Sequence, residues 1–166
     1  LLAKYGLAKI SLPGGCAIGT RPTDIHLYGL EKLGIKFYIK KGYVIGQVRK
    51  ELIGSSITLP FASVGATENI MMASVLAKGK TEIFNAAREP EISDLALCLN
   101  KMGAEVSGAG SNVIKILGVE ELKKAKHSII SDRIVAGTYL IAAIMLNKEF
   151  VVTKINPKTL SLPIKI

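Results

Sequence analysis

The sequence predicts an α/β fold built from a repeated unit, and three observations carry that expectation. Residues 29–48 (GLEKLGIKFYIKKGYVIGQV) align without a gap on residues 98–117 (CLNKMGAEVSGAGSNVIKIL) at an offset of 69. Leu30 falls on Leu99, Lys32 on Lys101, Gly34 on Gly103, and Val44 and Ile45 on Val113 and Ile114. Residues 67–77 and 134–146 are apolar nearly all round, the pattern of helices enclosed by other elements. Glycines punctuate both copies, with turns expected at Gly34, Gly42, Gly103 and Gly110. Each unit therefore reads helix, strand, helix, strand, strand.

Taken in order, Pro22 and Asp24 look like the opening of a first helix. His26 falls between Leu30 and Leu33 on its wheel, the place of a satisfied histidine at the edge of a core. A hairpin follows, then a helix from Ala66 preceded by Ser63, Val64 and Gly65. Two readings of that start stay open: free amides that seat an anion, or an ordinary serine N-cap with Glu68 in the first turns. In residues 92–102 the apolar Ile92, Leu95, Leu99 and Met102 follow a three-to-four spacing, and Gly103 suits a C-terminal cap. Cys98 falls on that stripe and reads as a buried small apolar residue. His127 follows a lysine run and reads as the surface-exposed start of a strand. The segment 65–76 with its following strand resembles 137–146 with a strand after it, so a strand is expected there too. The amphipathic helices should lie outside and the apolar ones inside, between sheets.

Composition narrows the class. The 166 residues, 49% of them hydrophobic, suffice for one or two small globular domains. The strongly apolar run 134–146 contains Gly137 and Thr138 and falls short of the roughly 20 residues that span a bilayer. The chain opens without a basic region and apolar stretch of the secretory kind. Its two cysteines have no framework spacing, which suits a reducing compartment; a cytoplasmic location is expected. Lys and Arg number 22 against 13 Asp and Glu, a formal charge of +9 that calls for an anionic partner or a solvated basic surface. The basic residues are scattered along the chain, aromatics are 5%, and no nucleic-acid-binding signature is present. A small phosphorylated ligand is the better expectation. No His, Cys and carboxylate cluster has metal-site spacing, and no Walker or Rossmann glycine string occurs.

The most informative stretch is residues 13–24, PGGCAIGTRPTD. Pro13, Gly14, Gly15 and Gly19 break regular structure around Cys16 and let backbone approach a ligand, while Arg21 offers a cation that favours thiolate. That string resembles the active-site loop of the UDP-N-acetylglucosamine enolpyruvyl transferase family. SVGATENIM at 63–71, NAAREPEISDL at 85–95 and SDRIVAGTYL at 131–140 resemble further family motifs, in the family's order and spacing. Together they cover nearly the whole chain up to about residue 160.

The resemblance implies part of an inside-out α/β barrel, two domains each of three βαβαββ units with helices inward. Residues 1–130 would be the last two units of the cysteine-bearing domain. Residues 131–166 would cross the interdomain linker and begin a unit of the other domain. On this reading the chain is a fragment lacking both ends, and the family's general-base aspartate and several phosphate-binding basic residues fall outside it.

The implied reaction moves an enolpyruvyl group from phosphoenolpyruvate to the 3-hydroxyl of UDP-N-acetylglucosamine, by addition and elimination, in peptidoglycan synthesis. No cofactor or metal is implied, and no nucleic acid or membrane partner; the remaining partner is the rest of the enzyme. Cys16 matches the cysteine that protonates the methylene carbon and can hold a covalent phospholactoyl adduct. Arg21 matches an arginine at the phosphoenolpyruvate and nucleotide site, where a planar guanidinium suits phosphate or carboxylate. Pro22, Thr23, Asp24 and Ile25 match the uridine end of the pocket. Phe61, Ala62, Ser63, Val64 and Gly65 match its diphosphate end, although many members carry lysine where this chain has Phe61. Arg88, Glu89 and Glu91 match the cleft, and Asp132 and Arg133 the linker. Two rivals remain. The shikimate-pathway enolpyruvyl transferase shares the repeat but would not place a cysteine in this loop, and an inactive chain would at most bind a nucleotide sugar.

Overall fold

The computed structural model describes residues 1–11 and 23–160, in two compact units, Leu1–His127 and Ser128–Ile166. The larger unit holds one complete βαβαββ arrangement. Its elements are β4 (Ser56–Thr58), α3 (Val64–Ser74), β5 (Lys80–Phe84), α4 (Pro90–Lys101), β6 (Glu105–Ser107) and β7 (Val113–Leu117). The sheet runs β4-β5-β7-β6, with β4 parallel to β5 and the other pairs antiparallel.

The preceding residues repeat the last four elements. After a four-residue helix α1 (Leu2–Tyr5) come β1 (Leu7–Ser11), α2 (Asp24–Lys32), β2 (Ile35–Lys40) and β3 (Tyr43–Val48), in a β1-β3-β2 sheet that matches β5-β7-β6. Gly34 and Gly103 coincide, each just past a helix end with φ of 95° and 97°. Only glycine takes that left-handed geometry without a steric cost, so the same residue ends both helices.

The gapless alignment fails one step later. Val44 is buried at 3% exposure and its counterpart by burial is Ile114, at 0%, not Val113. The first hairpin closes Lys40 against Tyr43 around Lys41 and Gly42, both at positive φ. The second closes Ser107 against Lys115 through a longer loop with Gly108 and Gly110 at positive φ. The offset is therefore 69 through β2 and β6 and 70 through β3 and β7. Side chains alternate along a strand, so the extra residue in the loop is why Ile114, and not Val113, holds the inward position that Val44 has in the first repeat.

The core lies where α3 and α4 meet the β4-β5-β7-β6 sheet, with Leu33 and Ile35 joining from the first repeat. Ile57, Ile70, Met71, Val75, Ile83, Ile92 and Ile114 are wholly buried. Each such side chain contributes about 1.5–3 kcal/mol. The apolar α3 is enclosed as its composition predicts. Cys98 is half-buried, in place of the expected full burial. His127 is neither exposed nor in a strand. Its side chain is 10% accessible and its Nε2 lies 3.0 Å from Asp94 Oδ1, because the chain after β7 returns along α4, where the Lys123 amide donates to the Met102 carbonyl.

In the smaller unit, α5 (Arg133–Met145) is followed by a short 3₁₀ turn, Pro157–Leu160. Asp132 caps α5, its Oδ1 accepting from the amides of Ile134 and Val135 at 2.9 and 3.0 Å. Such a cap is worth about 1 kcal/mol. Two expectations fail here. No strand follows α5 among the described residues, since a strand needs a neighbour to complete its ladder and this unit supplies none. Nor is α5 enclosed: Ala136 and Gly137 are its buried residues, whereas Ile144, Met145 and Leu146 are 70–80% exposed. A helix apolar all round needs layers on several sides, and this unit holds no sheet among its described residues.

Candidate functional site

Three helices of the larger unit begin near one another. α2 opens at Asp24 after Thr23, α3 at Val64 after Ser63, and α4 at Pro90 after Glu89. The local sequence explains each start. Ser63 Oγ accepts the Ala66 amide at 3.4 Å, Pro90 at the first helical position loses no needed donor, and Asp24 and Glu91 place carboxylates in first turns, where the helix dipole favours them.

Side chains tie these starts together. Thr67 Oγ1 donates to the Ser63 carbonyl at 2.7 Å and accepts the Ala87 amide at 3.1 Å, joining α3 to the connection before α4. Asn85 Nδ2 donates to the Leu59 carbonyl, holding the same connection to the loop that leads into α3. His26 Nδ1 lies 2.7 Å from Asn69 Nδ2, joining α2 to α3. That approach needs two small residues. A Cβ on Gly29 would fall 2.1 Å from Ile70 Cδ1, and one on Gly65 would fall 3.0 Å from His26 Cε1.

The electrostatics follow from this crowding. Burial holds the His26 imidazole below its ordinary pKa, with the nearby Glu68 carboxylate opposing the shift. Burial raises the Glu68 carboxyl, Glu91 adds to the rise, and His26 offsets part of it. Glu68 thus lies within electrostatic reach of the first turns of α2 and α4, through His26 and Glu91. The first amides of each helix have no intrahelical acceptor and carry the positive end of its dipole, which favours an anion beside each start.

The sequence-predicted residues fall as follows. Thr23, Asp24 and Ile25 open α2; Phe61 and Ala62 are exposed on the loop before α3; Ser63, Val64 and Gly65 open α3. The N-cap reading of Ser63 holds, and it uses only the Ala66 amide. Arg88, Glu89 and Glu91 stand at the start of α4, where the Arg88 amide donates to Glu89 Oε2 at 2.9 Å. Asp132 and Arg133 belong to the other unit, at the start of α5. Cys16, Arg21 and Pro22 lie outside the described residues. By chain order they belong to the connection between β1 and α2, whose counterpart in the complete repeat is residues 85–89, between β5 and α4. Thr67 and Asn69 were not singled out by sequence reasoning. Both stand inside SVGATENIM, but their partners Ala87 and His26 are 20 and 43 residues away.

No group of three or more His, Cys, Asp or Glu among the described residues is placed to hold a metal ion, and no helix among them is long and apolar enough to cross a membrane.

Comparison with known proteins gives concordant likenesses. A family model described as EPSP synthase (3-phosphoshikimate 1-carboxyvinyltransferase) matches residues 1–165. Among curated relatives, the UDP-N-acetylglucosamine 1-carboxyvinyltransferase of Caulobacter sp. (strain K31) is 53% identical over 167 residues, covering 100% of this chain and 39% of the relative. That of Pelagibacter ubique is 52% identical over 166 residues, covering 100% and 40%. That of Gluconacetobacter diazotrophicus is 57% identical over 143 residues, covering 86% and 34%. The chain thus spans between a third and two fifths of the length of these relatives. Among solved structures, the enolpyruvyl transferase NikO from Streptomyces tendae aligns with a TM-score of 0.72 at 20% identity, over 86% of this chain and 34% of that one. EPSP synthase from Acinetobacter baumannii aligns at 0.63 and 23% identity, over 85% and 32%. At such identities the structural likeness is one of fold.

Proposed function

The chain belongs to the EPSP synthase family of enolpyruvyl transferases, and from that premise we propose that it carries the cysteine-bearing wall of a UDP-N-acetylglucosamine 1-carboxyvinyltransferase. The observation that carries this reading is the meeting of three helix starts, those of α2, α3 and α4, each next to a motif that also marks the sequence resemblance. The names of the relatives at 52–57% identity favour this substrate over shikimate 3-phosphate.

In the proposed reaction, phosphoenolpyruvate and the 3-hydroxyl of the sugar combine to a tetrahedral ketal, which then loses inorganic phosphate to leave the enolpyruvyl ether. Cys16 delivers the proton to the methylene carbon in the addition step. Arg21 neutralises phosphate or carboxylate, and the amides of Ser63, Val64 and Gly65 receive the diphosphate. Pro22, Thr23, Asp24 and Ile25 line the uridine, beside Phe61 and Ala62. Arg88, Glu89, Glu91, Asp132 and Arg133 position and close the cleft. Residues 1–130 are assigned to two repeat units of one domain, and 131–166 to the linker and the start of a unit of the other. The product would enter peptidoglycan synthesis in the cytoplasm, and hence support cell-wall growth, cell shape and division.

Binding of UDP-N-acetylglucosamine tests the nucleotide site directly. Titration followed by amide NMR should shift Thr23, Ser63, Val64 and Gly65, and uridine diphosphate alone should shift the same set. A nucleotide sugar that perturbs only residues remote from these helix starts overturns the assignment. Binding without turnover even when a polypeptide carrying the remaining segments of one of these relatives is supplied would favour the second reading, an inactive polypeptide that at most binds nucleotide sugar. That reading rests on the chain's coverage of 34–40% of its relatives.

A further inference from the structure

The strand register of β1-β3-β2 puts Lys9, Lys36, Lys40, Tyr38 and Tyr43 on one face of the sheet. Lys9 pairs with Ile45 and Ile45 with Tyr38, while Tyr43 pairs with Lys40, and alternate residues of a strand share a face. The remaining positions of this face are uncharged. The opposite face carries the buried Ile35 and Val44, which pack inward. Tyr38 and Tyr43 are 49% and 40% exposed, and the Lys9 ammonium lies 4.2 Å from the centroid of the Tyr43 ring.

The repeat supplies a comparison within the same molecule. The corresponding face of β5-β7-β6 carries Lys80 and Lys115 but also Glu82 and Glu105, with Lys80 and Glu82 paired at 2.9 Å. One sheet is charge-balanced and the other wholly cationic on the same architecture. The bias extends through the first repeat. Residues 1–50 hold nine of the 22 basic residues, two of the 13 acidic ones and four of the five tyrosines. Strand pairing brings Lys9, Lys36 and Lys40, separated in sequence, onto one face.

We propose that this face binds single-stranded nucleic acid, with backbone phosphates on Lys9, Lys36 and Lys40 and unstacked bases on Tyr38 and Tyr43. An open sheet combining exposed aromatic rings with cations suits that ligand, because every base has a face to stack and every nucleotide brings a phosphate. An anionic bilayer fits less well. Insertion needs several projecting aliphatic groups, and on this face Leu7 is the one largely exposed aliphatic side chain, while the exposed Ile10 and Ile39 stand on the opposite face.

Fluorescence anisotropy of a labelled strand of about twelve uridines, with the whole chain, tests the proposal. Raising salt from about 50 to about 200 mM should weaken binding roughly 20-fold, as expected for about three phosphate contacts on a single strand. The triple variant Lys9→Gln, Lys36→Gln, Lys40→Gln should lose at least about tenfold in affinity at low salt and most of the salt slope. Lys115→Gln, Lys124→Gln, Lys126→Gln removes equal charge elsewhere and should stay within about threefold. Tyr38→Ala should weaken binding about tenfold without changing the salt slope, and Tyr38→Phe should restore it. If the lysine variant does not melt cooperatively, the two Tyr38 variants decide. Absence of binding by the unaltered chain, equal loss in both triple variants, Tyr38→Ala binding as well as Tyr38→Phe, or capture by phosphatidylserine vesicles in place of the oligonucleotide would each overturn the proposal.

Discussion

The hydroxyl of Thr67, wholly buried, accepts the amide of Ala87 at 3.1 Å while donating to the Ser63 carbonyl. One side chain thus sets the start of α3 against the connection that leads into α4. Replacing it by the near-isosteric valine keeps the volume but leaves the Ala87 amide buried without an acceptor. Thr67→Val should cost about 1–3 kcal/mol, read as a lower denaturant midpoint at unchanged m-value. Thr67→Ser should recover most of the loss, and a valine variant as stable as the parent would show that the bond contributes nothing.

The crowding of α2 and α3 gives a pH prediction. Because burial holds His26 below its ordinary value of 6.5, the unfolded chain binds its proton first as pH falls. His26 therefore contributes stability above pH 6.5 that is lost as pH drops toward its folded value. Glu68 has the opposite form. Its folded pKa is raised above 4.5, so its ionisation destabilises the fold as pH rises past that value. Urea midpoints should show Glu68→Gln more stable than the parent near neutrality and equal to it well below pH 4.5. His26→Gln should flatten the decline just below pH 6.5. A Glu68→Gln variant no more stable at neutrality would contradict the burial of that carboxylate.

How far the sequence reveals the fold depends on what each residue needs. Gly34 and Gly103 announce helix ends because the left-handed backbone they adopt is local. The offset between Val44 and Ile114 is not legible in a gapless alignment. It depends on which face of β7 meets the core, a non-local condition that a one-residue change in a loop satisfies. The apolar composition of α5 states that it wants a core on all sides but not whether one is present. The clasp between His26 and Asn69 lies outside local pattern for the same reason, since it joins two helices that only packing brings together.

That loop residue yields a prediction of its own. Deleting Ala109 would give the second hairpin the spacing of the first, in which Val44, the counterpart of Ile114, points inward, so Ile114 and Ile116, now 0% and 1% exposed, should keep their face. A one-residue change in a loop costs little when the strands keep their pairing, and the variant should melt within about 1 kcal/mol of the parent. A loss of more than about 4 kcal/mol, as expected if both isoleucines left the core, would show that the longer loop itself holds β7 in register.

The apolar surface of α5 should make the chain self-associate. Ile144, Met145 and Leu146, together with Val151 at 82% exposure, leave the smaller unit with large uncovered side chains. Light scattering should show mass rising with concentration, and Ile144→Glu with Met145→Lys should suppress the rise. A monomer at high concentration in the parent chain would mean that this surface is covered in solution.

The last prediction concerns the proposed chemistry of Cys16. Enolpyruvyl transfer draws its rate from holding two substrates in register and from groups that surround the transferring phosphate, and both need a complete cleft. This chain spans 34–40% of the length of its relatives, so it should release no phosphate from phosphoenolpyruvate and UDP-N-acetylglucosamine by itself. A second polypeptide carrying the remaining segments of such a relative should restore turnover if the two fold together. In the restored enzyme Cys16→Ser should abolish phosphate release, because a serine hydroxyl is far too weak an acid at neutral pH. Cys16→Asp should keep some activity, since a carboxyl group whose pKa is raised in a partly dry site can still deliver the proton. Alkylation gives an independent reading: in the folded chain Cys16 should react before the half-buried Cys98, and peptide mapping would identify the modified residue. Cys98 labelled first, or full activity of the serine variant, would remove Cys16 from the mechanism.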